Sequence, residues 1–201
     1  MRKYWKKSTR RSASALHWTK KSGDTRRYNG GRKTALEEIE KVMKITILAV
    51  GKIKEKYFTD AIKEYSKRLS RYCKLEIIEV ADEKTPEHLS GHEEDLIRAR
   101  EGERLRRYIK EGAYVISLAI QGKQVSSEEF SAKLEGLGIR GESHIIFIIG
   151  GSIGIDREIL QESRELISFS KMTFPHQLMR VVLLEQIYRG FRIMKGEPYH
   201  K

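Results

Sequence analysis

Two short segments of the sequence combine residue types that could bind a ligand and position it for a reaction. One is IIGGSIGID, in which Gly150, Gly151 and Gly154 follow an apolar run. Glycine tolerates positive φ and lets a ligand approach the backbone closely. The other is ISFSKMTFPHQ, residues 167–177, where hydroxyl groups, a lysine and a methionine stand directly before Pro175. The glycine segment predicts one wall of a site formed largely by backbone groups, although a purely structural tight turn also explains the glycines.

Other patterns narrow the class of ligand. No G-x-x-x-x-G-K-[ST] motif for phosphate binding follows the glycines. GLGIRG, residues 136–141, matches G-x-G-x-x-G, but it follows a predicted helix and precedes a strand. That order is the reverse of a dinucleotide-binding motif, so the segment predicts a helix end and a turn. The six histidines are scattered and show no metal-ligand spacing. A neutral adenosine moiety held by backbone groups therefore fits better than a phosphate or a metal.

The elements that must position these residues alternate between strands and helices. Short apolar runs predict strands at 44–50, 74–80, 113–120 and 143–150, and the last two are nearly continuous, as in central parallel strands. Between them lie predicted helices at 57–72, at 93–110 and from Ser126, where Glu129 completes a capping box. The alternation predicts an α/β sandwich with a parallel sheet.

The predicted topology brings the glycine cluster and a second loop to one edge of the sheet. The glycine cluster follows the most apolar strand, at the carboxyl edge where open α/β sheets bind ligands. IQGK, residues 120–123, predicts a turn that leaves the neighbouring strand at the same edge. Two such loops side by side would form one wall of a pocket.

The segment 167–177 predicts a loop that leads directly into a helix. Its apolar alternation slips by one position between Ser170 and Lys171, which is typical of a bulge or a loop. Pro175 then stands where a first helical residue belongs, with Thr173 as its candidate cap. The helix continues to about Met194 and is apolar on more than one side. We expect it to be covered by its own sheet and by a second subunit.

Composition excludes several classes of protein. The chain has 201 residues, 39% of them hydrophobic, which is enough for a buried core. The single cysteine, Cys73, excludes an internal disulfide framework and predicts a buried thiol. The longest aliphatic or aromatic run, residues 145–149, is too short to span a bilayer. We therefore expect a soluble protein without a membrane contact.

The positive charge is concentrated at the amino terminus. Residues 1–42 hold 13 basic and 4 acidic side chains, whereas residues 43–201 hold 27 and 24. The first segment lacks periodic apolar positions and predicts a basic, disordered extension before a domain that spans 43–201. A transit peptide and a nucleic-acid-binding arm are alternatives, but we favour an extension with little function because Met43 resembles a natural start. The mildly basic domain predicts weak affinity for free RNA.

Several motifs together resemble one known family. They are AVGK (49–52), ISLAIQGK (116–123), FIIGGSIG (147–154), ISFSKMTFPHQLMRVVLLEQIYR (167–189) and GEPYHK (196–201). In this combination they resemble the RlmH family of the SPOUT superfamily from Met43 to Lys201. The resemblance implies an α/β fold with a C-terminal trefoil knot and a homodimer in the cytoplasm. It also implies S-adenosyl-L-methionine-dependent methylation of N3 of a pseudouridine in helix 69 of large-subunit (23S) rRNA, within assembled 70S ribosomes.

The same resemblance assigns roles to individual residues. The cofactor is expected to lie between three loops and to contact Leu118, Gly122, Gly150, Gly151, Gly154, Phe169, Ser170, Lys171, Met172, Thr173 and Phe174. His200 is the expected base and Tyr199 its catalytic neighbour, reaching the active site of the partner subunit. Lys201, Arg180 and His176 are expected on the substrate side. No metal is implied. A SPOUT methyltransferase with another RNA target and a non-enzymatic, adenosine-ligand-binding, ribosome-associated factor remain alternatives.

Overall fold

A computed structural model describes residues 43–199, so the predictions for 1–42, His200 and Lys201 lie outside the described residues. Within 43–199 the chain forms five strands and five helices in alternation. The strands are β1 (Lys44–Val50), β2 (Lys74–Val80), β3 (Tyr114–Gln124), β4 (His144–Ile149) and β5 (Glu165–Ser168). The helices are α1 (Lys56–Leu69), α2 (Gly91–Arg106), α3 (Ser127–Ile139), α4 (Arg157–Glu162) and α5 (His176–Met194).

The strands form one parallel sheet in the order β2-β1-β4-β3-β5, which confirms the predicted α/β class with a parallel sheet. β1 and β4 lie at its centre, and nearly every residue of both is buried. Their continuous apolar sequences are the reason, because a central parallel strand is covered on both faces.

Alternate residues of the central strands enter two separate cores. Ile145 and Phe147 of β4 belong to a core with Leu69, Phe130 and residues of α5, so α1, α3 and α5 cover this face. Ile146 and Ile148 belong to the other core, which α2 and α4 cover with residues such as Leu105 and Ile159. The carboxyl edge of the sheet remains between the two layers, where its loops can meet.

Two of the helices, α2 and α3, start at capping boxes. The side chain of Ser126 accepts a hydrogen bond from Glu129 N and completes the capping box predicted for α3. A second capping box, between Ser90 and Glu93, starts α2 at Gly91 and was not predicted. α2 ends at Arg106, four residues before the predicted end. Cys73 is buried and forms no disulfide, as predicted.

The start of α5 differs from the prediction. Pro175 is the residue before the helix rather than its first residue, and no side chain within residues 43–199 caps the helix, so Thr173 is not its cap. In α5 itself no residue is highly exposed. α3 covers one side, where Ser131 Oγ donates to Gly190 O at 2.8 Å, and Tyr72, just beyond α1, stacks on Phe191 at 5.4 Å on the other. Much of the apolar surface of α5 is thus covered within one chain.

Across residues 43–199, none of the helices is both long and apolar enough to cross a membrane.

Candidate functional site

Three segments at the carboxyl edge of the sheet line one cavity of about 1040 Å³. They are the distal part of β3, the loop after β4 and the loop after β5, together with the start of α5. These are the three segments that the family resemblance implies lie together. Of the expected cofactor contacts, those that line the cavity are Leu118, Gly150, Gly151, Gly154, Phe169, Ser170, Met172, Thr173 and Phe174.

The loop after β4 has a shape that requires glycine. A Cβ atom on Gly150 would lie 2.5 Å from Gly154 O, a contact that no side chain can make. Gly154 has a φ of +94°, and a β-bridge joins Gly151 to Gly154. The turn is therefore tight, and it also presents its backbone to the cavity. The glycines therefore form a structural turn, and the same turn lines the cavity.

The segment IQGK differs from the predicted turn. β3 continues through it to Gln124, and the pairing register shifts, so that Leu118 and Lys123 both lie opposite Ile167. The residues between them bulge out of the ladder, and 119–121 line the cavity. Gly122 is not among the lining residues: a Cβ atom there would lie 2.6 Å from the carbonyl carbon of Ile167. Its position indicates close packing of backbone on backbone rather than ligand contact.

The loop after β5 is held by hydrogen bonds of its serines. Ser168 Oγ donates to Ser170 O at 2.7 Å, and Met172 N donates to Ser170 Oγ at 2.9 Å. This local bonding explains the slip in alternation, which the sequence correctly indicates as a loop. Lys171 lies outside the cavity lining, whereas Met172 lines it and is 71% exposed.

His176, the first residue of α5, also lines the cavity. Its Nε2 atom would lie 3.3 Å from a Cβ atom on Gly51, so the ring packs against the end of β1. Burial lowers the pKa of His176, and the charge of Arg180 lowers it further. The imidazole is therefore neutral at pH 7, a form that can accept a proton or a hydrogen bond.

Arg180 does not fit its expected place on the substrate side. It is 1% exposed, and its guanidinium donates to Val50 O, Gly51 O and Glu79 Oε1 at 2.6, 2.7 and 2.6 Å. The guanidinium is buried and three of its N–H groups donate to protein acceptors, so a phosphate at the surface does not reach it. Arg180 ties α5 to the ends of β1 and β2, so the expectation that it contacts RNA is corrected to a structural role.

Tyr199 lies away from the cavity of its own chain. Its hydroxyl donates to Glu185 Oε1 at 3.3 Å, and its ring packs against Tyr188 at 5.0 Å. Burial raises the pKa of Tyr199 to about 12. Glu185 stands nine positions after His176 in α5, which corresponds to about 14 Å along the helix. Within one chain, the carboxyl-terminal tyrosine and the cavity are therefore separate.

α2 contributes residues that the sequence did not single out. Glu94 and Arg98 line the cavity, and Arg98 Nη1 donates to Ile153 O at 3.1 Å in the loop after β4. Glu101 lies close to the same loop, beside Gly151. The spacing of Arg98 and Glu101 places them on one helix face, but α2 is charged on all sides, so no stripe marks that face.

The lining fits a ligand that combines an apolar ring with polar edges. Apolar side chains on the wall include Leu118, Ile149, Ile155, Leu160 and Met179. Backbone groups of 150–154 supply hydrogen-bonding partners beside them. The volume is ample for a nucleoside-sized molecule. In the part of the chain that the structure describes, no group of His, Cys, Asp or Glu is arranged to hold a metal ion.

Comparison with known proteins extends this picture. Residues 43–200 match the family described as "Predicted SPOUT methyltransferase". The "Ribosomal RNA large subunit methyltransferase H" of Bifidobacterium adolescentis is 64% identical over 159 residues, which are 79% of this chain and 100% of that protein. The protein of the same name from Clostridium kluyveri is 61% identical over the same coverage. The solved "A. aeolicus TrmH/SpoU tRNA modifying enzyme" overlaps 84% of this chain and 85% of its own, with a TM-score of 0.37 and 12% identity, too low to carry an argument.

Proposed function

This chain belongs to the SPOUT methyltransferases, and within them to the RlmH family, and from that premise we propose that it methylates large-subunit rRNA with S-adenosyl-L-methionine. The proposed acceptor is N3 of a pseudouridine in helix 69 of 23S rRNA within the assembled ribosome, which implies work in the cytoplasm. The observation that carries the proposal is the cavity in which three family-matching segments converge.

The residues that line the cavity support the choice of S-adenosyl-L-methionine as the cofactor. S-adenosyl-L-methionine supplies an electrophilic methyl group on a sulfonium. Backbone groups of residues 118–121 and 150–154 would hold the adenosine, and Leu118 and Met172 would cover its ring. The chain contributes mainly position, because a displacement reaction accelerates strongly when the acceptor is held in line with the methyl carbon.

The acceptor N3–H must lose its proton, so a base is required close to the methyl group. We propose that His200 is the base that removes this proton, and that its sequence neighbours Tyr199 and Lys201 act on the substrate side. His176 is a second group at the cavity and is neutral at pH 7. It can accept a hydrogen bond from the pseudouridine or from an intervening water. Lys171, outside the lining, remains a proposed contact at the rim.

The separation of Tyr199 from its own cavity supports a homodimer in which the carboxyl terminus serves the partner's site. Leu178, Val181 and Val182 form a stripe of α5 that is only partly buried within one chain. Such a stripe is suited to a second copy. The cavity of one subunit and the tail of the other would then form one active site.

Removal of residues 199–201 separates these roles. The truncated protein should bind S-adenosyl-L-methionine as the full chain does, and should lose methylation. Binding is measured by calorimetry and methylation by transfer of labelled methyl groups to ribosomes. Unaffected methylation would contradict a role of the tail in the reaction.

The proposal also includes a trefoil knot, in which the segment after β5 threads beneath the loop after β4. Its support is that both segments line one cavity and that the Phe169 ring packs on Phe130 at 5.8 Å. Stretching single molecules from both ends tests it. A knotted chain stops short of the roughly 3.3–3.6 Å per residue of a fully extended one, and a chain that reaches that length is not knotted.

The acceptor is tested by mass spectrometry of helix 69 from cells that lack this protein. We expect an unmethylated pseudouridine, restored when the protein is supplied, and an unchanged nucleoside would overturn the assignment. A parallel assay with transfer RNA separates this target from other RNA targets of SPOUT enzymes. Ribosomes should be the better substrate than free RNA, because residues 43–201 carry only 27 basic against 24 acidic side chains.

A further inference from the structure

Glu101 is a buried carboxyl group that the proposed reaction does not use. It lies in α2 and is 3% exposed. Its Oε1 atom accepts a hydrogen bond from Glu83 N at 2.9 Å, whereas Oε2 has no hydrogen-bond partner within the described residues. A buried, half-satisfied carboxyl group costs stability, so overall stability does not explain its presence.

The uncommitted oxygen faces the loop after β4. A Cβ atom on Gly151 would lie 2.9 Å from Glu101 Oε2 and 3.1 Å from Val50 Cγ1. The carboxyl group therefore occupies the space that a side chain at residue 151 would need. It reaches the loop from the α2 side and is absent from the cavity lining, so it meets the loop and not the ligand.

Two neighbours on the same face of α2 also contact this loop. Arg98, one turn earlier, donates to Ile153 O at 3.1 Å. Gly102 packs so closely that a Cβ atom there would lie 2.7 Å from Asp156 Cβ. Positions 98, 101 and 102 share one helix face because they are three and four residues apart. α2 thus touches the loop at three successive points.

Among residues 43–199, no cation forms an ion pair with Glu101. Arg104 pairs with Glu83, which Arg100 also approaches at 3.6 Å. Asp82 and Glu83 add negative charge near Glu101, and burial is the main reason that the pKa of Glu101 is raised. Burial thus disfavours the charged form, and the contacts of Glu101 with its surroundings are the hydrogen bond from Glu83 N and its close packing against Gly151.

We propose that Glu101 is a positioning residue of the methyl-donor site, which holds residues 150–154 in the shape that receives the adenosine by supporting Gly151 from behind. The inference rests on the proposed function, because that loop must be the donor's binding wall. Glu101 acts through Gly151 and does not touch the donor or the acceptor.

Three variants of the full chain test this role, with S-adenosyl-L-methionine as the probe in calorimetry. Glu101→Ala should weaken binding about tenfold or more, because the Glu83 N–H and the loop lose their support. Glu101→Gln keeps the shape and the hydrogen bond to Glu83 N, so its affinity should stay within about threefold of wild type. Glu103→Ala, in the same helix but with a side chain that is 68% exposed and pairs with Arg107, is the matched control and should bind normally.

Steady-state kinetics distinguishes positioning from general destabilisation. A variant that only unfolds more easily has less active enzyme and a lower apparent kcat, whereas a misplaced loop raises KM for S-adenosyl-L-methionine. We expect the rise in KM for Glu101→Ala and its reversal in Glu101→Gln. Equal losses in these two variants, or a fall in kcat alone, would overturn the inference.

Gly151→Ala approaches the contact from the other side and keeps the test valid should Glu101→Ala fail to fold. Its methyl group would occupy the space beside Oε2, so it should weaken binding by itself. Combined with Glu101→Ala, it should lose less than the sum of the two separate losses, because both variants disturb the same contact. Fully additive losses would overturn the inference. Wild-type protein that does not bind S-adenosyl-L-methionine overturns the proposed function and the inference together, whereas wild-type binding with unchanged affinity in Glu101→Ala overturns the inference alone.

Discussion

At the scale of single residues, the Arg180 side chain links the carboxyl ends of β1 and β2. Its guanidinium joins Glu79 of β2 to the carbonyl groups of Val50 and Gly51 and is almost fully buried. Burial lowers the pKa of Arg180, but arginine stays charged in proteins. Loss of this side chain would leave a partly buried carboxylate and two carbonyl groups without their donor.

Arg180→Ala should therefore destabilise the fold by about 3 kcal/mol or more, the usual result of breaking a buried ion pair. Urea unfolding followed by circular dichroism measures the change in free energy. Arg71→Ala, at an exposed cation after α1, is the control and should change stability by less than about 0.5 kcal/mol. Similar stability of the two variants would contradict the structural role of Arg180.

The pKa of His176 makes the stability of the fold depend on pH. Its pKa is lowered in the folded chain, first by burial and then by Arg180, whereas in the unfolded chain it is about 6.5. Below that pH the unfolded chain binds the proton more readily, so the contribution of neutral His176 is complete above about pH 6.5 and is lost as the pH falls through the folded pKa. His176→Asn should make the melting temperature less sensitive to pH between about 5 and 7.5.

His144 provides the comparison for this measurement. Burial also lowers the pKa of His144, which lies at the opposite edge of the sheet and contacts Thr46 Oγ1 at 3.0 Å. His144→Asn should reduce the same acid sensitivity without altering binding of S-adenosyl-L-methionine, whereas His176→Asn should alter both. An acid profile in His176→Asn identical to that of wild type would contradict the assignment.

At the scale of elements, the junction of β3 and β5 depends on one glycine. A Cβ atom at Gly122 would meet backbone atoms of Ile167 at 2.6 and 2.7 Å, and backbone cannot move aside as a flexible side chain can. Gly122→Ala should push β5 away from β3, destabilise the chain by about 2 kcal/mol, and weaken donor binding because both strands continue into the cavity wall.

Gly136→Ala is the matched substitution in α3. The nearest atom to a Cβ there is Arg140 Nη1 at 3.5 Å, an ordinary contact with the end of a flexible side chain. Alanine in a helix interior should raise stability by about 0.5–1 kcal/mol. Thermal unfolding of both variants measures the contrast, and equal effects would show that the close approach to Ile167 does not matter.

Helices and strands marked by a local sequence pattern could be predicted from the sequence. Contacts between residues far apart in the chain could not. The apolar run 145–149 is sufficient to predict a central strand, and Ser126 with Glu129 predicts the start of α3. IQGK looks like a turn because glycine usually interrupts a strand, and only its pairing with β5 keeps it extended. Likewise, the acceptors of Arg180 on β1 lie about 130 residues earlier.

The candidate site divides in the same way. Glycines and the slip in alternation mark two of its loops, since backbone conformation restricts residue types locally. The sequence of α2 does not reveal which face of the helix contacts the loop after β4, because charged residues occur on all sides of the helix. Family membership supports the enzymatic class over the non-enzymatic alternative.

At the scale of the whole molecule, the basic segment 1–42 should be dispensable for the reaction. The family match begins at residue 43, and β1 is paired from Lys44, opposite both Lys74 and His144. Deletion of 1–42 should leave the melting temperature and ribosome methylation unchanged. Comparison of full-length and shortened proteins at two salt concentrations measures this. Loss of methylation that grows with salt in the shortened protein alone would favour the nucleic-acid-binding arm.

The order of the sheet has a consequence for synthesis. β1 lies between β2, which follows it closely in the chain, and β4, whose first residue pairs with Lys44 from 100 positions later. At about 5–20 residues per second, translation leaves that flank of β1 without its neighbour for roughly 5–20 s. During this interval the nascent chain exposes an apolar strand edge, which is a template for pairing with other chains. Chaperone contact during translation should therefore concentrate on the stretch between β1 and the emergence of β4.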